Sequence, residues 1–236
     1  MNNITALPWD SNFFNLSVGQ SNLTDDTELN AFKTEFENST FDVVYVTAGS
    51  ENIQKKIVDI WGIAPIEHKR TYALAEYTSP ATATKHEIVE IDQVTESLLQ
   101  LTFESGVESR FYKDPNFGKT KFEKLYTAWI EKSVNHELAD HVLGVFISNQ
   151  LAGFVTLSFK NTTSQIGLIA VSKDFRGQGI AKSLIEHCLL KALENGYMPM
   201  KIVTQAHNVA ACNLYKSMGF VEISSVPLFH FWKSRS

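Results

Sequence analysis

The sequence predicts a mixed α/β fold. Three observations lead to it. Apolar β-rich runs alternate with helix-like stretches from Phe41 onward, and the clearest amphipathic helix follows directly on a strand and a glycine-rich turn. Of the 236 residues, 44% are apolar and 20% charged, a balance that can fill a core. The formal charge of −5, from 21 Lys and Arg against 26 Asp and Glu, argues against a protein built to coat nucleic acid. It still allows a local basic pocket for one phosphorylated small molecule.

Along the chain, Phe41–Val46 reads as a strand, Asn52–Trp61 as a helix, and Gly62 as its break. The small polar stretch Thr78–Lys85 is the linker candidate. It separates an α/β region over residues 1–80 from a domain over residues 85–236. After it come a short strand at Glu87–Ile91, helices near Val94–Glu104 and Phe122–Val134, and a hairpin of Val142–Ser148 with Ala152–Phe159 around Asn149-Gln150. Strand Gln165–Val171 runs into Asp174–Ala181. Ile180, Leu184, Ile185, Cys188, Leu189, Ala192 and Leu193 then recur at helical spacing, and Asn195-Gly196 supplies the stop. Strand Lys201–Thr204, an Asn-started helix over Asn208–Met218, and a strand-rich tail ending at Leu228–Trp232 complete the pattern.

The unit Phe41–Tyr77 reads like Lys201–Trp232: strand, small residues, Asn, helix, Gly, strand. The Asn-to-Gly spacings are 10 and 11. The N-terminal region is therefore expected to be a degenerate half-copy. Position Val58 of the first copy answers to Tyr215 of the second, so chemistry resting on that tyrosine belongs to the second alone.

The N-terminal stretch has neither a basic nor an apolar signal region, and no run is long and apolar enough to span a bilayer; a cytoplasmic protein is expected. Cys188 and Cys212 lack CxxC spacing and read as small buried residues. No histidine pair has metal-site helical spacing, so no metal is expected.

The chemistry concentrates in 166–195. Gly177 and Gly179 let the backbone turn tightly and present consecutive N–H groups at a helix start, which is an anion site. The loop is neither GxxxxGK[ST] nor GxGxxG with a following acidic residue. Arg176-Gly-Gln-Gly-Ile-Ala181 does resemble R/Q-x-x-G-x-G/A, the pyrophosphate loop of the GNAT superfamily of acyl-CoA N-acyltransferases, with Ala at its last position. Asn208–Phe220 is similar to that superfamily's second signature, N-x-x-A-x-x-L-Y-x-x-x-G-F, at every fixed position. The resemblance covers roughly residues 85–236 and implies a GNAT fold with a central mixed sheet.

What the resemblance implies is direct attack of an amine on the thioester of an acyl-CoA, with no Ser or Cys nucleophile. The oxyanion donor would be a backbone amide around Leu168–Ala170, and the pantetheine arm would pair near Ile169 and Val171. Amides from Arg176 through Gly177, Gln178, Gly179, Ile180 and Ala181, with Lys182 and Ser183, would hold the pyrophosphate; Asn208 would contact the pantetheine arm. Tyr215 would protonate the departing thiolate. Cys212, three residues before it, has no covalent role to play.

Leu7–Phe14, Ser109–Phe111 and Leu125–Glu131 resemble stretches of the dTDP-fucosamine acetyltransferases of enterobacterial common antigen synthesis. That implies a nucleotide-sugar acceptor, with Arg110 forking onto phosphate oxygens and Phe111, Tyr112 or Phe14 walling the pocket. Packing is the competing role for the aromatics, and a surface ion pair for Arg110. Residues 1–80 would contribute to the acceptor site, and a homodimer through the C-terminal strands agrees with family habit. The stretch Lys113–Lys121 is specific to this chain and would shape the pocket for acetyl or a short hydroxyacyl group. Glu104, Glu108 and Asp114, flanked by His136 and His141, are all candidates for the base, and no spacing singles one out. Another amine acceptor, a peptide N-terminus or an aminoglycoside, and a non-catalytic CoA-binding regulator are the competing functions.

Overall fold

The computed structural model describes residues 4–77 and 85–233, so the linker candidate Thr78–Lys85 lies outside them but for Lys85. The chain forms two compact units, Met1–Lys69 with Ser225–Ser236, and Arg70–Ser224. Strands β4 (Glu67–Leu74) and β10 (Val221–Trp232) both run through a unit boundary.

In the first unit, β1 (Thr5–Ala6) is followed by α1 (Pro8–Phe14), β2 (Val18–Leu23), α2 (Asp26–Asn38), β3 (Val43–Ala48) and α3 (Glu51–Trp61). Strand β2 lies antiparallel to β1 and parallel to β3, and β3 pairs antiparallel with Leu228–Trp232 of β10. Val44, Val46 and Ala48, alternate residues of β3, meet Leu29 and Phe32 of α2 and Ile53 and Ile57 of α3 in one core. Helix α2 starts where Asp25 accepts the amides of Thr27 and Glu28. Helix α3 is capped by Ser50, whose Oγ accepts from the Ile53 amide, and Asn52 lies inside the helix. The expected match of Asn52 to Asn208 is thus corrected: the first helix starts on a serine two residues earlier.

In the second unit, β5 (Val89–Glu90) leads to α4 (Glu96–Gly106), α5 (Arg110–Lys113), α6 (Gly118–Val134), β6 (His141–Ile147), β7 (Gln150–Lys160) and β8 (Thr163–Val171). Then come α7 (Ile180–Glu194), β9 (Met200–Gln205) and α8 (Val209–Ser217). Strands β5 to β8 are successive antiparallel neighbours, and β9 runs parallel to β8. The fold is mixed α/β, as the pattern predicts. The β6–β7 turn centres on Ser148 and Asn149 with φ of 50° and 62°, one residue earlier than expected, and two positive φ values suit the twist of a tight hairpin.

Helix α7 lays Ile180, Leu184, Ile185, Cys188, Leu189 and Ala192 on one sheet face, against Val155, Leu157, Ile166 and Met200. Leu193, expected on that face, is exposed. The opposite face carries α4 and α6, with Leu98, Leu101 and Ile130 against Val142, Leu151 and Phe154. Both cysteines are buried and free, and burial pushes the Cys188 thiol well above its usual range. Among the described residues, no helix is long and apolar enough to cross a membrane.

Candidate active site

The site begins with an irregularity in β8. Val155 faces Ile169 and Leu157 faces Ile166, so Gly167 and Leu168 together oppose the single residue Thr156. Thr156 is buried, and its Oγ1 accepts the Leu168 amide at 2.8 Å. A Cβ on residue 167 would stand 2.9 Å from that oxygen, which explains glycine there.

Past the bulge, β8 loses its other neighbour. Its pairing with β9 consists of Ser164↔Met200, Gln165↔Lys201 and Ile166↔Ile202, although β8 continues to Val171 and β9 to Gln205. The Leu168 amide points to Thr156 and the Ser172 amide to the Ala152 carbonyl, both on β7. Amides alternate in direction along a strand, so those of Ile169 and Val171 face the gap. They offer backbone donors to an extended partner.

A cleft of about 450 Å³ occupies this place. Ile169, Ala170 and Val171 form one wall, Asn208, Ala211, Leu214 and Tyr215 of α8 another, and Glu104, Ser105 and Glu108 a third. A smaller hollow of about 230 Å³ adjoins it and is lined by Phe175, Gly177, Gly179, Ala181 and Lys182. The two share Val171, Arg176, Ala181 and Leu214, and so they join.

The hollow is the mouth of α7. Gly177 and Gly179 have φ of 76° and 85°, and a Cβ on either would meet nothing within 4 Å, so conformation and not crowding demands glycine. Among the described residues no side chain caps α7, which leaves its first amides open with the positive end of the helix dipole. Lys85 donates to the Gln178 carbonyl at 3.1 Å, and His86 Nδ1 lies 3.0 Å from the Oγ of buried Ser183. No motif signals either residue. Ile180 is buried in the core and offers only its backbone, while Lys182 is paired with Glu186 at 3.7 Å. Arg176 donates from Nε to the Val171 carbonyl at 3.2 Å, and its Nη2 lies 3.6 Å from Glu104 Oε2.

Asn208 caps α8, its Oδ1 accepting the Ala211 amide at 3.2 Å, and it lines the cleft from that position. Tyr215 is buried, with its ring edge-to-face with Tyr72 at 5.8 Å. Burial, and then the neighbouring Cys212 and Tyr72, hold its hydroxyl well above the usual tyrosine range, so it stays protonated. Behind it, Tyr72 donates to Glu222 at 3.1 Å.

The acceptor-side expectations fare differently. Phe111 is buried against Phe117 and Trp129, and the Arg110 guanidinium lies over the Phe111 ring at 4.3 Å. Tyr112 is exposed, with its ring edge-to-face with Phe122. None of these three lines the cleft. Phe14 is buried in the first unit against Phe13. Of the base candidates, Glu104 and Glu108 line the cleft; Asp114 is buried and accepts from Asn116, His136 meets the Asp140 carbonyl, and His141 pairs with Glu90. Glu108 is itself bound by His207 and Lys113, each at 2.9 Å.

A splayed strand pair with free amides, an open helix mouth beside it and a buried tyrosine form one continuous site, and the sequence comparison agrees. The Acetyltransferase (GNAT) family model matches residues 103–220, and the chain belongs to that family. Among curated relatives, the spore coat polysaccharide biosynthesis protein SpsD of Bacillus subtilis is 24% identical over 60% of this chain and 48% of its own. A streptothricin acetyltransferase of Escherichia coli is 39% identical over 37% of this chain and 51% of its own. The chain spans about half the length of these relatives. A conserved protein of unknown function from Staphylococcus epidermidis shares the fold, with a TM-score of 0.63, 14% identity, and coverage of 92% of this chain and 85% of that one.

Proposed function

We propose that this chain is an N-acyltransferase that moves an acetyl or short hydroxyacyl group from acyl-CoA to the amine of a dTDP-linked 3-amino- or 4-amino-dideoxyhexose, for surface polysaccharide synthesis in the cytoplasm. The observation that carries the acyl transfer is the junction of the Ile169–Val171 edge with the open mouth of α7. An elongated thioester carrying a diphosphate fits this chemistry: strand amides for its amide-rich arm, helix amides for its phosphates. The amides of Gly177, Gln178, Gly179, Ile180 and Ala181 take the diphosphate, and Asn208 lies beside the arm. The Ile169 amide stabilises the developing oxyanion, a role worth about 3–4 kcal/mol in acyl transfer. Tyr215 gives its proton to the departing thiolate. Membership of the family and an intact Tyr215 favour turnover over a purely regulatory CoA-binding role.

The sugar-nucleotide acceptor is supported by the resemblance of Leu7–Phe14 and Ser109–Phe111 to aminosugar acetyltransferases, and by the similarity to SpsD, itself named for polysaccharide biosynthesis. In this reading residues 1–80 are a degenerate half-copy of the strand–helix–strand unit, and the protein is a homodimer, which sedimentation equilibrium checks. A second reading, another cationic amine such as streptothricin, is favoured by Glu104 and Glu108 on the cleft wall.

The test is free-thiol release from acetyl-CoA and a short 3-hydroxyacyl-CoA, each offered dTDP-3-amino- and dTDP-4-amino-6-deoxyhexoses, with an aminoglycoside alongside. Turnover with a sugar nucleotide is expected. CoA binding without turnover of any sugar nucleotide would overturn the acceptor assignment.

A further inference from the structure

We propose that Glu108 is the base that takes the proton from the acceptor amine, with His207 and Lys113 as the positioning residues that hold its carboxylate. The inference rests on the N-acyltransferase reading and is indifferent to which amine is acylated.

An aliphatic ammonium, like that of lysine with a pKa of about 10.4, is charged at neutral pH and has no lone pair to attack with. A transferase for such an amine needs a proton acceptor beside the thioester. Glu104 and Glu108 are the carboxylates on the cleft wall, and Tyr215 and the Ile169–Val171 edge line the same space. The two differ in how they are held. Among the described residues Glu104 Oε2 is buried without a hydrogen bond, with the Arg176 guanidinium 3.6 Å away. It suits attraction of an ammonium, while that buried oxygen lies beside Arg176 and is closed to the acceptor.

Glu108 is anchored through one oxygen. His207 Nε2 and Lys113 Nζ both reach Oε2 at 2.9 Å, and His207 Nε2 also approaches the Glu108 carbonyl at 3.1 Å. Both neighbours of that nitrogen are acceptors, so Nε2 carries the hydrogen. Among the described residues Oε1 takes no bond, and it is the atom left to meet the amine. The groups facing Glu108 are therefore His207 and Lys113 at its anchored oxygen, with Glu104, Arg176 and Tyr215 on the cleft. His207 immediately precedes the cap Asn208, so the same turn that starts α8 delivers the ring.

The protons balance. The ammonium gives one to Glu108 Oε1, which passes it to solvent. The freed nitrogen adds to the thioester carbon, forming the C–N bond and an oxyanion, and the C–S bond breaks as that adduct collapses. Tyr215 supplies the proton taken up by sulfur and recovers the nitrogen's second proton, so one proton is released per turnover.

The test compares wild type, Glu108→Gln and His207→Gln in thiol release from acetyl-CoA between about pH 6 and about pH 10, with calorimetric affinity for CoA measured beside it. The acceptors are dTDP-4-amino-4,6-dideoxygalactose, its 3-amino isomer and streptothricin. Glu108→Gln is expected to lose about 10²-fold at neutral pH and to approach wild type as the acceptor ammonium loses its proton to solvent at higher pH, with CoA affinity unchanged. His207→Gln should show a smaller loss of the same pH-dependent form. A loss by one constant factor at every pH, no loss, or a parallel loss of CoA affinity would overturn the proposal. If only streptothricin is turned over, the sugar-nucleotide reading falls and the Glu108 assignment is judged on streptothricin. If no acceptor is used, it is judged on acceptor-free hydrolysis of acetyl-CoA by cleft water; a wild type no faster than Glu108→Gln overturns it.

Discussion

Thr156 Oγ1 accepts the amide of Leu168 at 2.8 Å across the β7–β8 bulge. That one bond sets the direction of the amides that follow. It ties residue 168 to β7 and leaves residues 169 and 171 facing the gap beside β9. A side-chain hydroxyl on one strand thus prepares the donors on the next.

Replacing Thr156 by Val keeps the shape and strands a buried amide. The expected cost is about 1–3 kcal/mol of stability, read from urea unfolding, with a fall in kcat as the Ile169 amide loses its aim. Gly167→Ala should act through the same contact, since its Cβ would meet Thr156 Oγ1 at 2.9 Å.

Tyr215→Phe removes the proton donor and preserves the ring that packs on Tyr72. A loss of about 10²–10⁴-fold in kcat is expected with the CoA dissociation constant unchanged, by steady-state kinetics and calorimetry. Because burial raises this hydroxyl, wild-type activity should show no decline from tyrosine ionisation near pH 10.

Gly179→Ala places a side chain at a φ of 85°, where open space gives it no clash but the left-handed backbone costs about 1–2 kcal/mol. The strain falls on the mouth of α7. CoA affinity should drop about tenfold while the rest of the domain melts much as before, checked by calorimetry and near-ultraviolet circular dichroism.

Tyr72 carries an alkaline signature. Burial first, with hydrogen bonds to Cys212 and Glu222, pushes its hydroxyl up to about 12, against 10.0 for an ordinary tyrosine. The native state then holds a proton that the unfolded chain has lost, and stability falls with rising pH across that interval. It is fully present below about pH 10 and lost as pH passes about 12. Tyr72→Phe should flatten the decline in unfolding free energy over this window, at the expense of the Glu222 hydrogen bond at lower pH.

The parts of the site legible in the sequence are those fixed by local backbone chemistry. Gly177 and Gly179 answer to positive φ, Asn208 to a helix cap, and the run Gln165–Val171 to the strand that carries the open edge. Glu104 and Glu108 line the cleft, and His207 reaches Glu108, only because the end of α4 and the turn before α8 come together there, and no spacing encodes that. Aromatic residues pose the opposite difficulty: Phe111 as a wall and Phe111 as core look the same in sequence, and the structure buries it against Phe117 and Trp129. Helix α2 escapes a reading by pattern although Asp25–Glu28 carries a capping signal, because its exposed faces are strongly polar. Glu28 binds mainly the hydroxyl and amide of Thr24, with a weaker bond back to the amide of the cap residue Asp25, and these bonds lower its pKa.

The uncapped start of α7 has a consequence for the purified protein. Helix amides left to water have more to gain from an anion than amides already capped, and an unfolded chain offers no such cradle. Whatever anion settles there binds the native state alone and adds to its stability in proportion to RT ln(1 + [L]/Kd), about 2.7 kcal/mol at a hundredfold excess over the dissociation constant. The melting temperature of a preparation should therefore rise and fall with its coenzyme content, and dialysis should leave a protein that is measurably softer than the one in the cell.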